Sequence, residues 1–236
     1  MSIHDGHRMR LDKKVIEKGF EMLEPHEQLE HLLFAVIPRG DTNTIAHDLL
    51  NRFGTVASVL NADPEQLMSV KGVGNRTAMF ISTLPQLLGV VERSMLVNTP
   101  PKLDSQEAIE QYVRTFFYGK LVEEVYLFSL NSSYRLLAVS KLSEGVQNET
   151  PLYLSLAVKR AILDNASVVI IAHNHPCGIL SASIEDVKLT ARLSMAFQTV
   201  DIVMQDSLVV AGGQCYSIAS NYNLEKVAKE ISEGRM

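Results

Sequence analysis

Two histidines, His173 and His175, stand two residues apart in His173-Asn174-His175-Pro176, and Ser183 and Asp186 follow shortly after. The run before them, Val168-Val169-Ile170-Ile171-Ala172, is unbroken and apolar, the pattern of a strand buried on both faces. Side chains at i and i+2 of a strand share a face, so both imidazoles emerge side by side at its C-terminal end. Two neutral imidazoles and the Asp186 carboxylate form a three-ligand set for zinc. The fourth position is left to water, which distinguishes catalytic from structural zinc. The same residues also admit a plainer reading. A His-x-His pair ending a strand is often only hydrogen-bonded. Ser183-Ile184-Glu185-Asp186 ahead of Val187 and Leu189 has the form of a helix start, with Ser183 as N-cap and an acid three residues on. The two readings are compatible, because Asp186 then sits in the first turn of a helix whose N-terminus faces the histidines.

A water-activating site also needs a base. Glu123-Glu124-Val125-Tyr126-Leu127-Phe128-Ser129-Leu130 reads as a strand with two carboxylates at its mouth. The residue pattern leaves both open: either is a base or a solvated strand end.

The spacing H-x-H-P, seven residues to a Ser and two more to an Asp, resembles the JAB/MPN (JAMM) metalloprotease signature. Within Ala172-His173-Asn174-His175-Pro176-Cys177-Gly178 it is similar to the RadC branch, the "DNA repair protein RadC" family. Gly6-His7-Arg8-Met9-Arg10-Leu11, Asn51-Arg52-Phe53-Gly54 and Val70-Lys71-Gly72-Val73-Gly74 are similar to other parts of that family, so the resemblance spans nearly the whole chain. It implies an α/β fold, a mixed curved sheet flanked by helices that is cytidine-deaminase-like in layout. It implies one Zn2+ per chain on His173, His175 and Asp186. It assigns Glu124 as the base that takes a proton from the metal-bound water, and Ser183 as donor to the developing oxyanion. The implied reaction is hydrolysis of a peptide or isopeptide bond in a protein or peptide substrate.

The chain departs from the family pattern at three places. Ile179-Leu180-Ser181-Ala182 stands where relatives carry an acidic, proline-containing segment. Glu149-Thr150-Pro151-Leu152-Tyr153 replaces a histidine-proline-arginine helix start, and Glu144-Gly145-Val146 only approximates a glycine-threonine hairpin. These changes bear on substrate choice more than on metal binding, since every ligand is kept. Cys177 continues the two-residue spacing, but Pro176 and Gly178 end the strand before it, which argues against a third ligand there. A zinc deaminase needs H-x-E and P-C-x-x-C, and neither occurs.

The 236 residues suit two modest domains. No apolar run approaches the roughly 20 residues that cross a bilayer, and the polar N-terminus has no signal-peptide core. With two cysteines, Cys177 and Cys215, there is no disulfide framework, and a cytoplasmic setting is expected. Net charge is −5, and residues 1–100 carry ten Lys/Arg against twelve Asp/Glu. Strong nucleic-acid binding by the whole surface is therefore disfavoured.

The expected organisation is a helical domain over 1–97, a Pro-containing linker at 98–103, a JAB/MPN domain over 104–224 and a charged helical surface tail at 225–236. In the first domain, helices are expected between about Lys13 and Arg93, with Asp63 capping one that begins at Pro64. The segment from Leu67 to Ile81 resembles a helix-hairpin-helix motif. Backbone N–H groups of its Gly-rich turn can hold a phosphate, making Lys71, Gly72, Gly74 and Arg76 candidate nucleic-acid contacts. An ordinary packing hairpin explains the same residues. In the second domain, strands are expected at 122–131, 136–141, 168–172, 200–205, 207–210 and 215–218, with helices between them. Three functions follow: a zinc-dependent amide hydrolase, a DNA-associated accessory protein, and an inactive assembly scaffold. The intact ligand set argues against the third.

Overall fold

The computed structural model describes residues 3–96, 100–145, 150–233 and 235, and the chain divides into two compact units at Leu87/Leu88. Val146 and Glu149 of the departures noted above lie outside the described residues. Among the described residues no helix is long and apolar enough to cross a membrane.

In the first unit every regular element described is a helix: α1 (Ile3–Lys18), α2 (Pro25–Leu33), α3 (Thr42–Phe53), α4 (Val56–Leu60), α5 (Pro64–Met68) and the first part of α6 (Asn75–Leu96). α1 begins ten residues before the expected Lys13, because its apolar spacing is too weak to announce it. Leu29, Leu33, Ile45, Leu49, Leu67 and Ile81 form the core. Caps set the helix ends, with Asp41 accepting from Thr44 N and Asp63 from Glu65 N. Buried Glu30 accepts from Thr42 Oγ1 (3.2 Å) and Asn43 Nδ2 (2.9 Å) and lies 3.0 Å from His7 Nε2, which ties three helices together.

The second unit is a five-stranded mixed sheet with strand order β2-β1-β3-β4-β5, built from β1 (Glu124–Leu130), β2 (Leu136–Glu144), β3 (Val168–Asn174), β4 (Val203–Ala211) and β5 (Gln214–Ser217). β3 and β4 are parallel, and the other neighbours are antiparallel. All seven residues of β3 are buried, as expected of a central strand with both faces covered. The alternation of side chains splits the core into two layers. On one face, Phe128, Leu130, Ile170 and Ala172 pack against Ile109 and Val113 of α7 (Gln106–Val113). On the other, Leu127, Val169 and Ile171 pack against Ala157 and Ala161 of α8 (Thr150–Leu163) and Leu193 and Phe197 of α9 (Ile184–Gln198).

Three local expectations need correction. The stretch from Val203 to Ala211 is one strand, not two. Asp206, between the two expected strands, is buried and accepts from Ser207 N (2.7 Å) and Ala219 N (3.2 Å). Residues 100–103 of the expected linker are docked: Leu103 is buried and donates to Tyr134 O, while Leu136 N donates to Pro101 O. After the short α10 (Ile218–Asn221), the C-terminal tail is α11 (Leu224–Ser232), whose Leu224, Val227 and Ile231 pack with Val187 and Ala191 of α9. Its lysines and glutamates cover only the opposite side.

Candidate metal centre

β3 delivers His173 at its end, and the ladder continues one step further, since His175 N donates to Val210 O at 2.9 Å. The two-residue alternation therefore holds through both histidines, and their rings lie on the α8–α9 face. Pro176 then stops the pairing and Gly178 N returns to His175 O (3.0 Å). The turn needs φ of +82° at position 178, which glycine adopts without strain. Asp186 arrives from α9 through a capping box. Its backbone N–H donates to Ser183 Oγ (3.1 Å), while its Oδ2 accepts from both Ser183 N and Ser183 Oγ at 2.7 Å. This leaves Oδ1 to face the histidines.

The three side chains converge. His173 Nε2 is 3.2 Å from His175 Nε2 and 3.4 Å from Asp186 Oδ1, and His175 Nε2 is 3.8 Å from Asp186 Oδ2. One donor atom from each lies within 4.8 Å of the others. Ligand atoms about 2.0–2.1 Å from a tetrahedral zinc stand about 3.3 Å from one another, so the donor set fits such an ion with little adjustment. The electrostatics fit too. Burial pushes His173 down to about 4, against the opposing pull of Asp186 and with a smaller push from His175, so the ring is neutral at pH 7. His175 Nδ1 lies 3.0 Å from Ile179 O. Donation there selects the tautomer whose Nε2 lone pair is free for a cation. Cys177 is exposed and takes no part in the cluster.

Strand parity puts Glu124, the base that the resemblance implies, on the face opposite the histidines. Val125 pairs with His173 across β1 and β3, and cross-strand partners share a face. Glu123 lies two residues before Val125, on the same face, and lines one cavity with His173 and Asp186. Burial raises its carboxyl, His175 pulls the other way and Asp186 raises it further, so it senses both residues. Glu124 is on the α7 face, 4% exposed. There it accepts from Tyr126 Oη (2.7 Å), with Lys120 Nζ at 3.1 Å and Lys141 Nζ at 3.6 Å. It is an ion-pair centre turned away from the histidines.

Two further groups escaped the sequence. Asn174 points opposite the histidines and stitches the strand mouths: its Oδ1 accepts from Glu124 N (2.8 Å) and its Nδ2 donates to Val122 O (3.0 Å). The Ile179 carbonyl that orients His175 is backbone, so no residue type could have announced it. Ser183, expected to serve an oxyanion, gives its hydroxyl proton to Asp186 in this structure. In the other unit, Lys71, Gly72 and Gly74 are exposed on the turn between α5 and α6 and Arg76 is exposed in the first turn of α6, while Val73 is buried. Gly72 has φ of +89°, and a Cβ there would meet Ile45 Cδ1 at 2.8 Å.

The model of a family described as RadC-like JAB domain matches residues 103–224. The chain is 33% identical over 211 residues to a UPF0758 protein of Methylibium petroleiphilum, covering 89% of this chain and 95% of that one. It is 31% identical over 204 residues to one of Ruegeria pomeroyi, covering 86% and 91%. A UPF0758 protein of Fusobacterium nucleatum is 26% identical over 220 residues, covering 91% and 95%.

Proposed function

Because the chain belongs to the RadC-like JAB domain family, we propose that its second unit is a zinc-dependent hydrolase of peptide or isopeptide bonds. The observation that carries this reading is the convergence of one donor atom each from His173, His175 and Asp186 within 4.8 Å of one another, with the His173 imidazole buried and neutral. His173, His175 and Asp186 would hold the ion. A zinc in such a three-ligand site supplies a water with its pKa lowered to about 7 and a Lewis acid for the scissile carbonyl.

The chain's own groups do the rest. Glu123, partly buried and with its carboxyl raised, is suited to accept a proton at neutral pH and pass it to the leaving amine. Ile179 O fixes the His175 ring, and Ser183 fixes the Asp186 carboxylate, as partners of metal ligands do. Donation by Ser183 to an oxyanion requires its hydroxyl to leave Asp186 when substrate binds. Metal analysis of purified protein tests the reading: about one zinc per chain is expected, lost in His173→Ala. A metal-free protein whose melting curve ignores added zinc overturns it.

DNA contact by the first unit is a second reading, favoured by the exposure of Lys71, Gly72, Gly74 and Arg76 at the start of the long helix α6. Lys71→Ala and Arg76→Ala should each weaken duplex binding and shallow its salt dependence by about one counterion. Unchanged binding in both variants excludes it.

A further inference from the structure

Hydrogen bonds hold the backbone on either side of Glu123, and one side chain supplies two of them. β1 begins at Glu124, and the last residue pair in register between β1 and β3 is Val125 with His173. Glu123 therefore lies beyond the part of the ladder that fixes β1 against β3. Asn174 spans that step. It sits between His173 and His175, so its side chain turns to the opposite face of the sheet, where it is 4% exposed. Its Oδ1 accepts from Glu124 N at 2.8 Å and its Nδ2 donates to Val122 O at 3.0 Å. Val122 O belongs to the peptide plane before the Glu123 Cα, and Glu124 N to the plane after it. One carboxamide thus holds both planes whose rotation sets the direction of the Glu123 side chain. From the neighbouring strand, Gly145 N donates to Glu123 O at 2.7 Å.

The residue type matters here. Glu124 N needs an acceptor and Val122 O needs a donor, and a carboxamide supplies both at once. Ionised aspartate offers acceptors only, alanine reaches neither group, and glutamine is a methylene longer. Glu123 lines one cavity with His173 and Asp186. The strand that presents the imidazoles therefore also carries the clamp on the carboxylate beside them.

We propose that Asn174 is a positioning residue that sets where the Glu123 carboxylate stands relative to His173, His175 and Asp186. The inference rests on the hydrolase reading above, with Glu123 as the base. A base must come within about 2.6–3.2 Å of the proton it takes, and a displacement of about 1 Å can cost about a hundredfold in rate. Asn174 faces away from the cavity and acts through the Glu123 backbone.

The test is a double-mutant cycle read by calorimetric binding of acetohydroxamate to zinc-loaded protein. This probe ligates zinc, offers its N–OH proton to a nearby carboxylate and carries no side chain that needs a pocket. Wild type, Asn174→Ala, Glu123→Gln and the double variant are compared, with zinc content and urea midpoint measured first. Zinc content should match in all of them, because the Asn174 side chain is turned away from the imidazoles. Glu123→Gln should bind the probe about tenfold more weakly, the difference a charge makes to one hydrogen bond. Asn174→Ala should weaken it about threefold to tenfold, a coupling within the range of residues in contact. In the Glu123→Gln background Asn174→Ala should change nothing further, whereas a merely structural loss appears equally in both backgrounds. If Asn174→Ala is too unstable to load, Asn174→Asp is judged by the same criteria: it keeps the acceptor for Glu124 N and loses the donation to Val122 O. Wild type that holds no zinc, or holds zinc and does not bind the probe, overturns the hydrolase reading and this role with it. Affinity unchanged in Glu123→Gln overturns Glu123 as the base, and the role falls too. Affinity that the Asn174 variant leaves intact, or lowers equally in both backgrounds, overturns the positioning role alone.

Discussion

The two adjacent glutamates at the mouth of β1 should respond to the same substitution in opposite ways. Glu124 is 4% exposed and receives a hydrogen bond from Tyr126 and contacts from two lysines. Glu124→Gln keeps the shape and one acceptor but removes the charge. Hydrogen bonds to a charged group contribute about 1.5–3 kcal/mol. The lysine share is discounted because the Lys120 and Lys141 side chains are 26% and 41% exposed. A loss of about 2 kcal/mol follows, and with a urea slope of about 2 kcal/mol/M the midpoint should fall by about 1 M. Glu123→Gln removes a carboxylate whose charged form is disfavoured by burial and by Asp186, so its midpoint should hold or rise. Its effect belongs to chemistry: with zinc still bound, hydrolysis should fall by about 10²–10⁴, the usual contribution of general acid–base catalysis. The assay pairs urea unfolding by circular dichroism with mass-spectrometric detection of cleavage in a peptide pool. If Glu124→Gln abolishes cleavage at unchanged stability while Glu123→Gln still cleaves, the parity argument is wrong.

Acid should weaken the metal-free protein through His173. Its folded pKa, lowered to about 4, lies below the usual value near 6.5, so the unfolded chain takes up a proton that the folded chain refuses between those values. Unfolding therefore binds protons, and stability should decline as pH falls from about 6.5 to about 4, by on the order of 3 kcal/mol from this group. Thermal melts across that range should show the decline in wild type and a shallower one in His173→Gln, whereas equal slopes would remove His173 as the cause. Val227 anchors α11 against α9 at 8% exposure. Val227→Ala should cost about 2 kcal/mol, and a variant with no change in melting temperature would return the C-terminus to the role of a surface tail.

What could be read along the chain was whatever local physics settles. The apolar run at 168–172 makes a buried strand wherever it lies in the sheet, and the alternation past it keeps His173 and His175 on one side. The Ser183 and Asp186 capping box is closed by four consecutive residues, so the helix start and the outward-facing Oδ1 needed no distant partner. The C-terminal tail was misjudged because charge suggests solvent, while α11 hides one apolar stripe behind a polar one. Glu123 and Glu124 mark the limit most clearly. Alternation says that they face opposite ways and is silent on which of them faces the histidines. That choice depends on the β1–β3 register, a pairing between segments nearly fifty residues apart, and a shift of one residue would exchange their positions. Only tertiary packing, with α7 on one face of the sheet and α8 and α9 on the other, turned Glu123 toward His173 and Asp186 and buried Glu124 among lysines.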